Sequence, residues 1–595
     1  MSSANGKIQL DDTLPQDVPS YYDDCEYGNH RDNGLSHVGN AVYHSLHMKH
    51  RMSQNTQWSL TSGTVKAITQ TPTEACCCSD QAIQEGHSDW FPEQLGNLLQ
   101  KTERWCDCLS LGPPDGKFLQ AFHDALKRLH EKNKVIKVRM MFGNVVGSPV
   151  NCQAVIERLT QGIPRENTKL YLWVGSWRKH FSWNHSKILA IDGKYLWTGG
   201  HNFLDQDYLQ TDPVRDLSLH LQGPIAHDGH VYANHPWRFV ISTMRELCKS
   251  CVNTLAINIR VDVRAFPPGR TSEFPPMYKQ PSSSRQKNPS SGTEATVPIL
   301  SIGRYGALSR FRIRPSDDAI FALLSSAKTV IRLAIQDLGP MTIPNTKIAL
   351  PGTVWPKAYL SALAKALWKT NAQVEIILSN PLSVPGGLTI RDTFYGNGWS
   401  CVDVAAEILK AIRRNYKQVD DEALRLKFQN LRLCFLRGGK SKSRLWKNGS
   451  SMGLHSKVFI IDDLCYYTGS QNLYPCDLAE WGVVIDSRVQ TAKLLDAFWN
   501  PMWTSSYSPE DCGVSDVMDG LEVDRDGEDP AHMSMDTKNL MESAELRPGD
   551  MKQNCRCNRP TNTDLYMHAE GEEEVEAMKS GMFDRRSSLF HPKMW

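Results

Sequence analysis

Two short stretches hold the chain's best candidates for chemistry. The first reads His185-Ser186-Lys187-Ile188-Leu189-Ala190-Ile191-Asp192 and the second His455-Ser456-Lys457-Val458-Phe459-Ile460-Ile461-Asp462. Both spell H-x-K-x4-D. Each is followed at the same offset by a glycine-led turn ending in Asn, Gly199-Gly200-His201-Asn202 and Gly469-Ser470-Gln471-Asn472. Three other His-x-Lys triplets, beginning at His47, His130 and His591, have neither the Asp nor the Gly/Asn tail. A short motif standing alone is weak; two complete copies with matched tails are not.

These residue types suit attack on a phosphodiester. Negative charge grows on the phosphoryl oxygens in the transition state, and fixed cations and hydrogen-bond donors aimed there lower the barrier. Lys187 and Lys457 supply the charge. Asn202 and Asn472 supply amide donors, with Gly200 and Ser470 beside them as further phosphate-binding candidates. One His attacks phosphorus and forms a covalent phosphohistidine. The other protonates the leaving alkoxide and then deprotonates the incoming water or alcohol. The lysines make a metal unnecessary, no Asp/Glu/His cluster has metal-ligand spacing, and no cofactor is called for.

A catalytic His needs a partner that fixes its tautomer. Asp216 opens an alternating stretch after the first motif and Glu480 does the same after the second, so both are candidates for that role. Asp192 and Asp462 complete the motif and stand among the catalytic candidates, although a turn carboxylate more often binds backbone. His201 either fills its turn or touches substrate. Trp183, Trp197, Tyr208 and Tyr474 either pack the core or cage a quaternary ammonium.

The elements that must position these residues also come twice. Phe118–Leu129 and Tyr359–Trp368 have helical apolar spacing. Each precedes a strand-like run, Lys134–Gly143 and Gln373–Ser379, then a second, Lys169–Trp173 and Leu431–Phe435, then the motif. The motif's apolar run is itself of buried-strand type, with His and Lys two apart on one face. Asp192-Gly193 and Asp462-Asp463 are predicted turns, with 195–198 and 465–468 returning as partner strands. Helix, strand, strand, motif repeated in order predicts an α/β fold of two duplicated sandwich lobes with pseudo-twofold symmetry and the site at their interface.

With 595 residues, several domains are allowed. The division expected is a disordered region 1–88, a first lobe 89–264, a Pro/Ser-rich linker 265–295, a second lobe 296–507 and an acidic disordered tail 508–595. A formal charge of +2 gives no electrostatic reason to expect nucleic acid as a partner. No secretory leader opens the chain, and no stretch approaches the roughly 18 apolar residues of a membrane span. A cytoplasmic monomer that meets membranes peripherally is expected. The 16 Cys are scattered and read as free thiols. Cys248-Lys249-Ser250-Cys251 lacks a second pair for zinc, and Cys76-Cys77-Cys78 would suit lipidation. Loops 204–213 and 381–400, beside the motifs, are candidates for the lipid interface.

The two motifs with their tails resemble the signature of the phospholipase D superfamily. Phe181–Leu189, Thr198-Gly199-Gly200, Gln336-Asp337-Leu338 and Tyr467–Pro475 resemble its secreted streptomycete group, over roughly residues 105–507. That resemblance implies hydrolysis of phosphatidylcholine-like lipids at a membrane surface to phosphatidic acid and a head-group alcohol, with transphosphatidylation when an alcohol replaces water. It implies the nucleophile's role for His185 and the acid/base role for His455. Glu480 departs from the group, which tends to have Asp there. Alternatives are a superfamily nuclease, a phosphatidyltransferase, and a silent relative that only binds membranes. The tyrosyl-DNA phosphodiesterase branch lacks the terminal Asp that both copies keep.

Overall fold

In chain order the strands are β1 (Leu60–Thr71), β2 (Trp105–Ser110), β3 (Ile136–Gly143), β4 (Leu170–Lys179), β5 (Ser182–Trp183), β6 (Ile188–Ile191), β7 (Tyr195–Gly199), β8 (Asp216–Gln222), β9 (Ile259–Phe266), β10 (Val297–Tyr305), β11 (Val330–Ile335), β12 (Gln373–Leu378), β13 (Leu431–Phe435), β14 (Lys457–Ile461), β15 (Cys465–Gly469) and β16 (Ala479–Asp486). The structure, a computed structural model, describes residues 34–50, 58–72, 89–145, 148–209, 212–249, 259–279, 296–308, 314–340, 354–380, 383, 399–416, 419–474, 476–509 and 514–523. The Cys76–Cys78 run, Cys251, most of the 381–400 loop and the acidic tail beyond 523 lie outside the described residues.

The duplication is exact in strand order. The first half runs β8-β7-β6-β2-β3-β4 and the second β16-β15-β14-β11-β12-β13. In each, the three strands joined by helical crossovers are parallel, and the other three, joined by the motif's tight turn and then by a longer loop, are antiparallel. This is what connection length dictates: a parallel neighbour needs a crossover, an antiparallel one only a hairpin. The crossover helices form because their apolar residues recur on one face. Gly116–Glu131 buries Phe118, Phe122, Ala125, Leu126 and Leu129, and Lys357–Trp368 buries Tyr359, Leu360, Leu363 and Leu367 among others.

The motif hairpins turn where expected. Asp192 and Gly193 have φ of 54° and 67°, and Asp462 and Asp463 have φ of 54° and 56°. Positive φ at both central residues matches the twist of the flanking strands. Gly193 is required twice over, since a Cβ there would lie 2.1 Å from His227 Cε1. Asp463 accepts the unfavourable φ, and its carboxylate pairs with Arg332.

The largest departure from expectation lies in the N-terminal region. Residues 1–88 are predicted to be disordered, yet His37–His50 is a helix and Leu60–Thr71 is β1. β1 pairs antiparallel with β10 through Leu60–Gly63 and with β8 through Thr64–Thr71. One strand therefore joins the halves into a 16-stranded sheet. One buried apolar cluster crosses that seam, from Val38 and Trp58 through Leu219 and Ile299 to Val484. A second, on the other face of the first half, lies beneath helices Trp90–Leu99, Gly116–Glu131 and Cys152–Leu159.

The predicted linker 265–295 is also partly built. Its first two residues end β9. Beyond them, Pro276 O accepts from Arg139 at 3.1 Å, Ser272 O accepts from Trp173 Nε1 at 2.9 Å, and the Tyr278 ring stacks on His230 at 4.3 Å. The predicted tail from 508 carries one further helix, Val514–Val523. Among the described residues no helix is long and apolar enough to cross a membrane.

Candidate active site

Each motif is docked by backbone onto the opposite half. His185 N donates to Ala479 O at 2.9 Å, and His455 N donates to Arg215 O at 2.8 Å. The residue after each acceptor is a carboxylate. Glu480 accepts from His185 Nδ1 at 3.0 Å, and Asp216 accepts from His455 Nδ1 at 2.8 Å. Sequence proximity puts Asp216 behind the first motif and Glu480 behind the second; the fold crosses them. Because a carboxylate only accepts, each Nδ1 carries the proton and each Nε2 keeps a lone pair.

All four groups are almost wholly buried, and burial sets their ionisation. It pushes the His185 imidazole down to about 4, against the pull of Glu480, and that of His455 to about 3, where Lys457 adds to the effect. Burial alone would raise both carboxylates. Interactions with His201, His455 and Lys457 at Asp216, and with His185, Arg304 and Lys187 at Glu480, outweigh it and hold both below their usual range. The result is two neutral imidazoles on two ionised carboxylates.

Lys187 and Lys457 are fully buried, and each Nζ donates to the carbonyl of its own motif His, at 2.7 Å from Lys187. Burial lowers them to about 8 and about 7. Among the described residues Asn202 has no partner for either amide atom, and Asn472 donates to Tyr474 OH at 2.8 Å while its Oδ1 has none. An unmet buried polar group costs about 1–3 kcal/mol, which a ligand's oxygens or hydroxyls would recover.

Gly200 and Ser470 serve the carboxylates, a correction to their expected phosphate-binding role. A Cβ on Gly200 would lie 2.0 Å from Asp216 Oδ1, so only glycine leaves room for that side chain. At the equivalent place Ser470 Oγ donates to Glu480 and accepts from Trp481 N at 3.1 Å. Asp192 and Asp462 likewise leave the reacting set. They sit at the far end of the motif strand, where Asp192 accepts the N–H groups of Glu103, Arg104 and Trp105 at 2.7–2.9 Å. Asp462 takes those of Lys328, Thr329 and Val330, with His37 Nε2 at 2.9 Å. At about 3.3 Å per residue these carboxylates are more than 15 Å along the chain from the imidazoles.

His201 is structural: its ring is held by Ser218 Oγ at 2.8 Å and Thr71 Oγ1 at 2.9 Å. Trp197 packs on Phe91 and Phe203. Tyr208, a cage candidate by sequence, instead donates to Asp216 Oδ2 at 2.9 Å and accepts from Asn202 N at 3.0 Å. Sequence reasoning misses that link, and also Arg215, whose guanidinium reaches Pro72 O at 2.6 Å and Gln70 Oε1 at 2.8 Å. Thus the end of β1 braces the segment carrying Asp216. Among the described residues no group of three or more His, Cys, Asp or Glu is placed to hold a metal ion. The described cysteines are free thiols, and burial pushes those of Cys106, Cys108, Cys152, Cys465 and Cys476 up.

Comparison with known proteins finds the following similarities. A phospholipase D of Streptomyces antibioticus is 26% identical over 430 residues, 67% of this chain and 74% of the relative. A phosphatidylserine synthase from Haemophilus influenzae superposes with a TM-score of 0.45 at 13% identity, over 79% of this chain and 95% of the other. The phospholipase D family member Nuc from Salmonella typhimurium covers 35% of this chain and 95% of its own, with a TM-score of 0.19 at 16% identity. No protein-family model matches. Two H-x-K-x4-D motifs in a duplicated α/β fold, together with similarity to a phospholipase D over 67% of the chain, support a member of the phospholipase D superfamily that resembles its streptomycete enzymes.

Proposed function

We propose that this phosphodiesterase-type enzyme hydrolyses glycerophospholipids with choline-like head groups to phosphatidic acid and the free alcohol, and transfers the phosphatidyl group when an alcohol replaces water. The observation that carries the reading is the crossed pair His185–Glu480 and His455–Asp216. It sets two imidazoles, each with its Nε2 unprotonated, beside two buried lysines.

In the first step His185 Nε2 attacks phosphorus, the bond to the head-group oxygen breaks, and protonated His455 gives that oxygen its proton. The substrate's own negative charge helps protonate His455, whose empty-site value lies near 3. In the second step His455 takes a proton from water, the water oxygen attacks phosphorus, and the P–N bond breaks to restore His185. Lys187, Lys457 and the Asn amides stabilise the equatorial oxygens throughout.

The test is choline release from phosphatidylcholine vesicles, alongside cleavage of a single-stranded oligonucleotide. The reading expects choline from the wild type, little oligonucleotide cleavage, and near-complete loss for His185→Ala and His455→Ala with the fold retained. Oligonucleotide cleavage without choline release would move the substrate class to nucleic acid.

A further inference from the structure

Outside the active site, the first half carries a cavity of about 600 Å³ between helix Ile225–Lys249, the starts of β3 and β4, and the segment Arg270–Met277. Its apolar and aromatic lining includes Tyr171, Trp173, Phe274 and Ile241. Lys137, Arg238, Arg245 and Arg270 also line it, and among the described residues no carboxylate does. Among the described residues no ion pair uses any of these four cations. Arg245 stacks on Phe274 at 5.3 Å. β3 meets the motif's approach at Gly143, beside Trp183 and Asn184, whereas the cavity takes Lys137 from the strand's other end and none of its lining residues belongs to the catalytic site.

The volume falls within the range of ligand sites, roughly 300–1,000 Å³. A concave lining that combines apolar rings with cations used by no ion pair among the described residues matches an anion attached to an apolar body. A bare phosphate would gain nothing from the rings, and a neutral lipid nothing from the guanidiniums. Arg is suited to bind a phosphate monoester with two parallel hydrogen bonds while its stem covers apolar surface.

We propose that this cavity is a second lipid site that holds the phosphomonoester head group of an anionic phospholipid, with phosphatidic acid as the best-matched ligand. That ligand would be the product of the reaction proposed above, and only this identification rests on that reading. Occupancy would keep the enzyme on membrane where product has begun to accumulate.

The test is sedimentation of the full chain with vesicles of phosphatidylcholine containing increasing phosphatidic acid. Each basic side chain near an anionic bilayer is worth about fivefold in affinity, so Arg238→Ala, Arg245→Ala and Arg270→Ala together should weaken binding about 100-fold. A control with the same loss of charge at exposed positions elsewhere, Lys127→Ala, Arg488→Ala and Lys493→Ala, should keep most of it. Turnover of a soluble short-chain substrate should be unchanged in both. Equal losses in the two triple variants would reduce the effect to general charge and overturn the site. Release from the vesicles by inorganic phosphate, beyond that by chloride of equal ionic strength, would replace the lipid with a soluble phosphate and also overturn it. Because phosphatidic acid is bound here rather than cleaved, the result stands apart from whether phosphatidylcholine is the substrate.

Discussion

Replacing Asp216 by Asn should disable one half of the reaction and spare the other. Asp216 Oδ2 accepts from His455 Nδ1 at 2.8 Å and from Tyr208 OH at 2.9 Å, while Oδ1 accepts from Leu217 N at 2.8 Å. An amide nitrogen on the Oδ1 side would face the Leu217 N–H, donor to donor. The amide must therefore point its nitrogen at His455, whose Nδ1 then has to accept, moving the ring proton to Nε2. That tautomer cannot act as a base. A wrong tautomer in a carboxylate–histidine pair costs about 10⁴-fold in turnover in the serine protease triad. Here the partner loses its charge as well, so a fall of about 10³–10⁴-fold in choline release is expected, about 4–5.5 kcal/mol at 1.36 kcal/mol per decade. The informative assay is stopped flow with p-nitrophenyl phosphocholine, whose leaving group needs no proton from the enzyme. If His185 is the nucleophile, Asp216→Asn should release about one equivalent of nitrophenolate in a burst and then stall. Glu480→Gln, which disturbs His185, should give no burst. A burst from Glu480→Gln and none from Asp216→Asn would exchange the two roles, and wild-type turnover by either variant would refute the reasoning.

The remaining predictions read other parts of the site. Lys457 titrates near 7 and Lys187 near 8 in the empty enzyme; their charge is present below those values and lost above. kcat/KM should fall as pH rises through 7–8, and the limb in kcat should lie higher because bound phosphate favours the cation; a kcat/KM profile flat to pH 9 would contradict this. Gly200→Ala drives a methyl to 2.0 Å from Asp216 Oδ1 and should cost at least about 100-fold in kcat, whereas Ser470→Ala, which removes a donor without crowding, should cost less. Asp192→Ala uncovers three backbone N–H groups and should lower stability by about 1–3 kcal/mol in denaturant titration, with activity per folded molecule nearly unchanged; a large loss of kcat at full stability would return Asp192 to the chemistry.

The sequence made the duplication legible because each motif hairpin and each crossover helix is local, with its periodicity and turn residues in one short window. It did not reveal which carboxylate serves which His. Glu480 lies 295 residues from His185, and Asp216 lies 239 from His455, and each pairing depends on how the halves dock. β1 was missed for a different reason. Leu60–Thr71 has Ser, Gly, Lys and four Thr among its residues and buries mainly its last turn-ward residues, so it has no apolar alternation of its own. It is a strand because β8 and β10 leave it a place to pair. Gly200 and Ser470 are phosphate-binding candidates in sequence only because they stand beside Asn202 and Asn472 in the motif turns, and only the position of Asp216 and Glu480 behind them shows what they accommodate.

The most direct test of two imidazoles acting on one phosphorus is to identify the covalent intermediate. His455→Ala mixed with p-nitrophenyl phosphocholine, quenched at alkaline pH and digested, should yield a peptide bearing phosphocholine on His185. The same experiment on His185→Ala should yield none. An unmodified enzyme that still turns over, or an adduct on any residue other than these two imidazoles, would contradict the account.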